Sequence, residues 1–525
     1  MFNYKNNHTI NFIFFVIFIF CLLILKDYGV SQDEYAFRIH GFVTLNYVGN
    51  IFLPELTNSF VGEKDIQILD ANYQGKSYGA YYSAILGLIE VIFNIEDKYY
   101  QFLFRHYINF TIFFSSLIFF YKSLLLITNN KLLSFIGFLI LLLTPRIFAN
   151  SFYNTIDIYF FSIVIFLNYF TKKIFYNWNV KNLIFVSLFT ALVIDHRIAG
   201  IYFLIQNLFF FIFVLKKKFI NKELFLYQLF YLITSLFFVY IFWPYLWSDP
   251  LNNFVSAFLE MSRWNYKVYS LLNGIEYISD NLPWFYTFFW ITITTPVIYL
   301  IFFLSGIFYL SFELKKTFDT KSQNLISNFY FLSIIIGHIF VILIMKPNLY
   351  NGWRHFYYLY PSIVIISVYG IKNLLNKNNF LKIITYLVLI CNFIILINWK
   401  IQNHPNQQVY FNIFADKDIK NKFDMDYWSL SYKEQLMNII KNERKNKIKI
   451  YNLSESKVFY SLFSLKKIDR EKFIIVNSPE EADYIITNYY FFDNYKKKVF
   501  KKILDFEKFS DIRVDKNVIS SVFKN

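Results

Sequence analysis

Residues 10–34 read INFIFFVIFIFCLLILKDYGVSQDE: an apolar run from Ile10 to Leu25 broken only by Asn11, then Lys26-Asp27, then the acidic pair Asp33-Glu34. A bilayer span needs roughly 20 mostly apolar residues, about 17 at the short end. Lys26 and Asp27 stand where a leader would show small residues for cleavage, so the run reads as a first membrane helix.

The same measure, carried outward, predicts spans at 8–25, 104–121, 129–145, 156–171, 182–197, 199–215, 224–243, 284–311, 326–345, 356–372 and 381–399. Composition agrees. Of 525 residues, 56% are hydrophobic and 17% charged, against about 25% charged in ordinary soluble proteins. The abundance of Phe, Ile, Tyr, Lys and Asn also points to an AT-rich genome, which is mutational bias. Cys21 and Cys391 both lie in apolar runs, which leaves no disulfide framework or cysteine metal site. The net charge of +16 does not form a nucleic-acid-binding stripe, because much of it sits in short loops between apolar runs.

Those loops set the expected sidedness. One alternating set holds Lys122, Lys131, Lys172, Lys173, Lys181, Lys216, Lys217, Lys218, Lys222, Lys315, Lys316, Lys321, Lys372, Lys377 and Lys382; the other holds only Arg146, Arg197, Arg263, Lys267, Lys346 and Arg354. The richer set is expected to be cytoplasmic, together with the N-terminus and Lys5. Segment 26–103 and everything after about 400 then face outward. Tyr81 to Phe93 is apolar but too short to cross comfortably, and is expected to lie along the outer interface. After 400, β-like runs at Lys447–Tyr451, Phe473–Val476 and Tyr484–Thr487 alternate with helical stretches at Tyr432–Lys445 and Ser454–Leu465. The expected architecture is an all-α polytopic membrane domain over 1–400, with about eleven transmembrane helices and juxtamembrane helices in the first external loop. A small extracytoplasmic α/β domain over 401–525 completes it. The tail shows no Gly-rich phosphate loop and no metal-ligand cluster.

Charged groups beside a bilayer are expensive and usually have a purpose. Four outer-face clusters stand out. Ser31-Gln32-Asp33-Glu34-Tyr35 reads as a general base or divalent-cation ligand, or else as a solvated loop start. Asp157, after Asn150-Ser151-Phe152-Tyr153-Asn154-Thr155-Ile156, reads as a site carboxylate or as a first-turn acid favoured by the helix dipole. Asp195-His196-Arg197 fills a tight corner between two spans; Arg197 can hold a phosphate or pair with Asp195, and His196 can act as a ligand or simply hydrogen-bond. Arg354, within Lys346 to Pro361, can clamp a phosphate or snorkel to lipid headgroups.

In this order the clusters resemble the integral-membrane glycosyltransferases of the GT-C superfamily. They look most like the polyprenyl-phosphate-dependent branch that includes protein O-mannosyltransferases and lipid A aminoarabinose transferases. Asp33-Glu34 matches an acidic pair soon after helix 1, Tyr153-Asn154-Thr155-Ile156-Asp157 a later acid before a helix, and Arg354 to Pro361 an Arg followed by aromatics and Pro. Lys76 stands in for a basic residue before the juxtamembrane helix, without the family's prolines. Pro145 to Asn154, His404 to Asn412 and Asp426 to Tyr432 look like a bacterial GT-C subgroup, so the resemblance covers most of the chain. It implies a polyprenyl-phosphate-linked sugar donor, an acceptor hydroxyl on a lipid, glycan or protein, and inverting transfer at the extracytoplasmic face of a bacterial inner membrane. Asp33 would be the general base, with Glu34 and Asp157 holding hydroxyls or sharing Mg²⁺ or Mn²⁺. Lys76, Arg197 and Arg354 would bind the donor phosphate, supported by Arg146, His196, His355 and Tyr350. A transporter or flippase of lipid-linked sugars, a membrane scaffold, and a lipid-linked glycan ligase or polymerase are the rival classes. Transporters place polar sites near the midplane, often between repeats; here charge gathers at one face and no repeat is visible.

Overall fold

The computed structural model describes residues 8–525 other than 55–67, 71, 216–218, 263–266, 317–322, 493 and 504–505. Lys5, Lys216, Lys217, Lys218, Arg263 and Lys321 of the loop pattern lie outside the described residues.

Every expected span is helical. Eight described helices are long and apolar enough to cross a membrane, and up to ten if each of two bent pairs is one span. The remaining expected span, Val180–His196, has 17 residues. Side chains such as Phe12, Phe15, Leu23, Phe237 and Ile395 are exposed on these helices, as lipid-facing positions are in a multi-pass membrane protein.

One expected span is broken at a proline, and another ends at one. The segment 284–311 is two helices, Tyr286–Thr294 and Val297–Lys316, bent by 118°. Pro296 lacks an amide hydrogen and forces the preceding residue out of the helical region; Thr295 accordingly sits at φ −101°, ψ 137°. Lys131–Leu143 likewise ends before Pro145, and Pro145–Tyr153 leaves it at 67°.

Between the first and second spans, the described residues hold two long helices. Gln32–Phe52 begins with a reciprocal cap: Ser31 Oγ accepts the Glu34 amide, and Glu34 Oε1 accepts the Ser31 amide at 2.7 Å. Tyr81–Ile92 fills the stretch expected to lie at the interface and packs tightly on it, because a Cβ on Gly41 would meet Ser83 backbone at 2.4 Å. Glu90 joins the two helices to Lys98–Thr128, accepting from Arg38 at 2.9 Å and from Arg105, all three side chains being buried.

The tail folds as a five-stranded sheet. In chain order, after the hairpin β1 (Tyr269–Leu272) and β2 (Ile275–Ile278), come β3 (Ile448–Asn452), β4 (Phe473–Ile475), β5 (Tyr484–Thr487), β6 (Glu507–Val514) and β7 (Asn517–Lys524). The sheet order is β4-β3-β5-β7-β6; β3 pairs parallel with β4 and β5, while β7 runs antiparallel to β5 and β6. The β6–β7 hairpin turns through Asp515 at φ +53° and adds two strands beyond those expected. Helix Tyr432–Asn442 buries Leu436 and Ile439 against Ile448, Ile450 and Val522 of the sheet.

Candidate active site

Arg354 stands at the centre of the gathered charges. Its Nη1 donates to Asp157 Oδ2 at 2.8 Å and its Nη2 lies 3.1 Å from Asp33 Oδ2. Arg197 donates to the other Asp157 oxygen. Residues from four separate stretches of sequence thus form one chain of charge, Asp33–Arg354–Asp157–Arg197.

Each is aimed by its local structure. The cap at Ser31 starts its helix so that Asp33 sits in the first turn. Asp157 opens helix Asp157–Tyr176, but it does not cap that helix. Asn154 takes over the local work: its Oδ1 accepts the Asp157 amide at 2.9 Å and its Nδ2 donates to Asp157 Oδ2 at 2.9 Å. The carboxylate is left free to face the arginines. Arg197 ends helix Val180–His196 and reaches across to Asp157, rather than pairing with Asp195 next to it. The broken helix Tyr286–Thr294 positions Arg354, since Tyr286 Oη accepts the Gly352 amide at 3.1 Å and Thr294 Oγ1 accepts the Trp353 indole at 2.9 Å.

Exposure divides the cluster. The Asp157 and Arg354 side chains are 1% and 3% exposed, whereas those of Asp33 and Arg197 are 26% and 20% exposed. The reachable ends are therefore one carboxylate and one guanidinium. Burial raises the Asp33 carboxyl above its usual range; Arg354 pulls it down and the nearby Asp157 charge pushes it up.

The tail enters the site. The Arg354 guanidinium lies 4.7 Å from the Trp428 ring and 4.9 Å from the Tyr350 ring. A tight turn presents Trp428, with Asp426 accepting from the Leu430 amide, the Ser431 amide and Ser431 Oγ at 3.0, 3.0 and 2.6 Å. Asn412 fastens this return to the Pro296 bend, donating to the carbonyls of Thr292 and Thr295 at 2.6 Å each. Tyr78 is within electrostatic reach of Arg197, Asp33, Arg354 and Asp157. Its loop is docked by the Gly79 amide on the Asp195 carbonyl at 2.7 Å, where a Cβ on Gly79 would come within 2.5 Å of that oxygen. Sequence reading missed Trp428, Tyr78 and Asn154 as site residues.

Other expected residues have other employment. Glu34 is 2% exposed; Oε1 closes the cap and Oε2 meets His106 at 2.7 Å, so both oxygens are engaged away from Asp33. Lys76 pairs with Glu260 at 3.7 Å, and its carbonyl accepts the Trp243 indole. Arg146 donates to the Tyr410 carbonyl at 3.0 Å and lies over Trp290 and Phe411, clamping the returning tail. His196 Nε2 lies 2.9 Å from the Ile156 carbonyl oxygen. His355 packs edge-on to Tyr350.

The expected cation set does not assemble. Glu34 is committed elsewhere, Asp33 and Asp157 already share an arginine, and no group of three His, Cys, Asp or Glu poised for a metal occurs among the described residues.

No family model matches the chain, and no curated protein does. Solved structures do match. The chain is similar to the apo oligosaccharyltransferase of Archaeoglobus fulgidus, at 9% identity and TM-score 0.48, over 90% of this chain and 69% of that one. For the complex of that enzyme with Zn and sulfate the values are 10%, 0.47, 89% and 63%. It is also similar to ArnT from Cupriavidus metallidurans bound to undecaprenyl phosphate, at 10% identity and TM-score 0.49, over 99% of this chain and 98% of that one.

Proposed function

We propose that this chain is a membrane glycosyltransferase that moves a sugar from a polyprenyl-phosphate-linked donor to an acceptor hydroxyl at the extracytoplasmic face. The observation that carries this reading is the Asp33–Arg354–Asp157–Arg197 chain of charge, set at the ends of membrane helices and covered by the tail. A bundle of apolar helices solvates a polyprenyl tail, and the exposed ends of the charge chain meet the polar headgroup.

The chemistry is a single displacement. Asp33 takes the proton from the acceptor hydroxyl as its oxygen attacks the anomeric carbon. The bond from that carbon to the phosphate oxygen breaks, and its electron pair leaves with the lipid phosphate. Attack opposite the leaving group inverts the centre. Arg197 and Arg354 stabilise the charge that develops on the phosphate, and Asp157 holds both guanidiniums in place. Two carboxylates and two guanidiniums balance, so an arriving phosphate competes with Asp33 for Arg354. A phosphate that draws Arg354 away loosens the pull on the Asp33 carboxyl and makes it a stronger base. No step is routed through a metal ion.

The test is transfer of labelled sugar from a polyprenyl-phosphate donor by the purified chain in nanodiscs. Asp33→Asn should abolish transfer while the protein still folds and inserts. Full activity in that variant would remove Asp33 from the base role. Movement of intact donor across vesicles without transfer would favour a flippase.

A further inference from the structure

A cavity of about 550 Å³ opens next to Gln32, and the chemistry above does not use it. Gln32 and Tyr427 line it on the inner side, Lys267 and Tyr269 border it at the β1–β2 hairpin, and Lys457 and Tyr490 come from the α/β unit. It therefore exists only because the tail folds back over the membrane domain.

Its aromatic wall is continuous with the site. Tyr269 stacks on Phe492 at 5.2 Å, Phe492 meets Tyr490 at 5.1 Å, Tyr490 meets Tyr427 at 5.1 Å, and Tyr427 meets Tyr350 at 5.9 Å. Tyr350 is the ring beneath Arg354. The charge on the cavity is mainly positive. Glu455 is neutralised by Lys496 at 2.9 Å, whereas Lys457 is exposed. Lys267 pairs with Asp280 where both are largely exposed, and such a pair is weak and screened. Helix Asn494–Ile503, just after the lining residue Phe492, carries Lys496, paired with Glu455, Lys497, paired with Glu276 at 2.7 Å, and Lys498, Lys501 and Lys502. A concave wall of rings suits the flat C–H faces of sugars, and a cationic rim concentrates anions.

We propose that this cavity is the acceptor subsite and that the acceptor is an acidic saccharide. The proposal rests on the glycosyltransferase reading and names the substrate that the tail selects. A sugar held on Tyr269 and Tyr490 extends its next hydroxyl past Gln32 toward Asp33, while Lys457 and Lys267 meet its carboxylate or phosphate groups.

The test uses the full chain in nanodiscs and three probes: trigalacturonate as an acidic saccharide, maltotriose as a neutral one, and polyprenyl phosphate for the donor side. Trigalacturonate should bind several-fold tighter than maltotriose at low salt, and the preference should shrink as salt rises. Lys457→Glu should erase the preference, and Tyr269→Ala should weaken both saccharides. Neither should change polyprenyl phosphate binding. Equal binding of the two saccharides, or affinities unmoved in both variants, would overturn the acceptor subsite. So would displacement of trigalacturonate by phosphatidylglycerol, which would make the basic rim a membrane contact. Loss of polyprenyl phosphate binding in the wild type, with the saccharide preference intact, would overturn the donor reading and leave the cavity assigned.

Discussion

Arg354 Nη1 donates to Asp157 Oδ2 at 2.8 Å across 197 residues of sequence. Both side chains are almost wholly buried, and a buried charge left without its partner is costly. The pair therefore couples fold to function: it joins the first turn of one span to the start of another, and it leaves Nη2 free to reach Asp33.

Replacing Arg354 separates charge from geometry. Arg354→Lys keeps the charge but lacks the planar fork that spans two carboxylates. It should lower kcat by about 10²–10³-fold, as loss of one oriented electrostatic contact does. Arg354→Ala should do this and also destabilise the protein by about 3–5 kcal/mol, because the buried Asp157 charge then keeps Arg197 as its one cationic partner among the described residues. Transfer assays with thermal unfolding of the same preparations check both. Near-normal kcat in the lysine variant would reduce Arg354 to a structural ion.

The pH profile reports on Asp33. Because burial raises its carboxyl, the acid limb of kcat/KM should lie above that of an ordinary aspartate, near about 3.9. Arg354 lowers the Asp33 value, so Arg354→Lys or Arg354→Ala variants with residual activity should show the limb unchanged or moved to higher pH, never lower. An acid limb at or below the ordinary value in the wild type would count against Asp33 as the base.

Trp428 tests whether the tail belongs to the site. A cation over an aromatic face contributes about 0.5–2 kcal/mol, so Trp428→Ala should reduce kcat several-fold or more and Trp428→Phe should recover most of it. Equal activity in wild type and Trp428→Ala would confine the tail to acceptor capture or stability.

Asp424 gives a stability signature outside the membrane. Burial pushes its carboxyl up to about 7, even though Oδ2 accepts the Leu271 amide at 2.9 Å. The folded protein then holds a proton that the unfolded chain releases near about 3.9. Native stability should therefore fall as pH rises from about 4 through about 7, and level off above that. Asp424→Asn should flatten the fall. An unchanged slope in that variant would assign the dependence to another group.

How much of this was legible follows from the cost of charge beside lipid. Asp33, Asp157, Arg197 and Arg354 are conspicuous because each interrupts or abuts an apolar run, and those four are the ones that meet. Their pairing was not legible: Arg197 has Asp195 beside it and still reaches Asp157. Trp428 and Tyr78 are neutral residues in a chain rich in aromatics, so nothing local marks them. Other misreadings had signals that were there to use. Ser31-Gln32-Asp33-Glu34 is itself a capping-box pattern and points Glu34 back at its own helix. Pro296 marks a break in an apolar run that length alone reads as a single span. In the β6–β7 hairpin, β6 is charged and mostly half-exposed and β7 is interrupted by Ser520-Ser521, which hides both from any reading by apolar runs.

Glu34 supplies the contrast that makes the site specific. It adjoins Asp33 in sequence, yet its oxygens serve the Ser31 amide and His106. Glu34→Gln keeps the shape and loses the charge, so the capped turn and the His106 contact should weaken by about 1–3 kcal/mol. The kcat of the folded fraction should stay near normal, because neither oxygen faces the reacting atoms. Asp33→Asn should show the reverse: stability near wild type and no transfer. Measuring unfolding midpoint and single-turnover transfer in both variants gives two crossed outcomes. If Glu34→Gln instead abolished transfer at unchanged stability, the acidic pair would act as one unit, and the division of labour within it would be wrong.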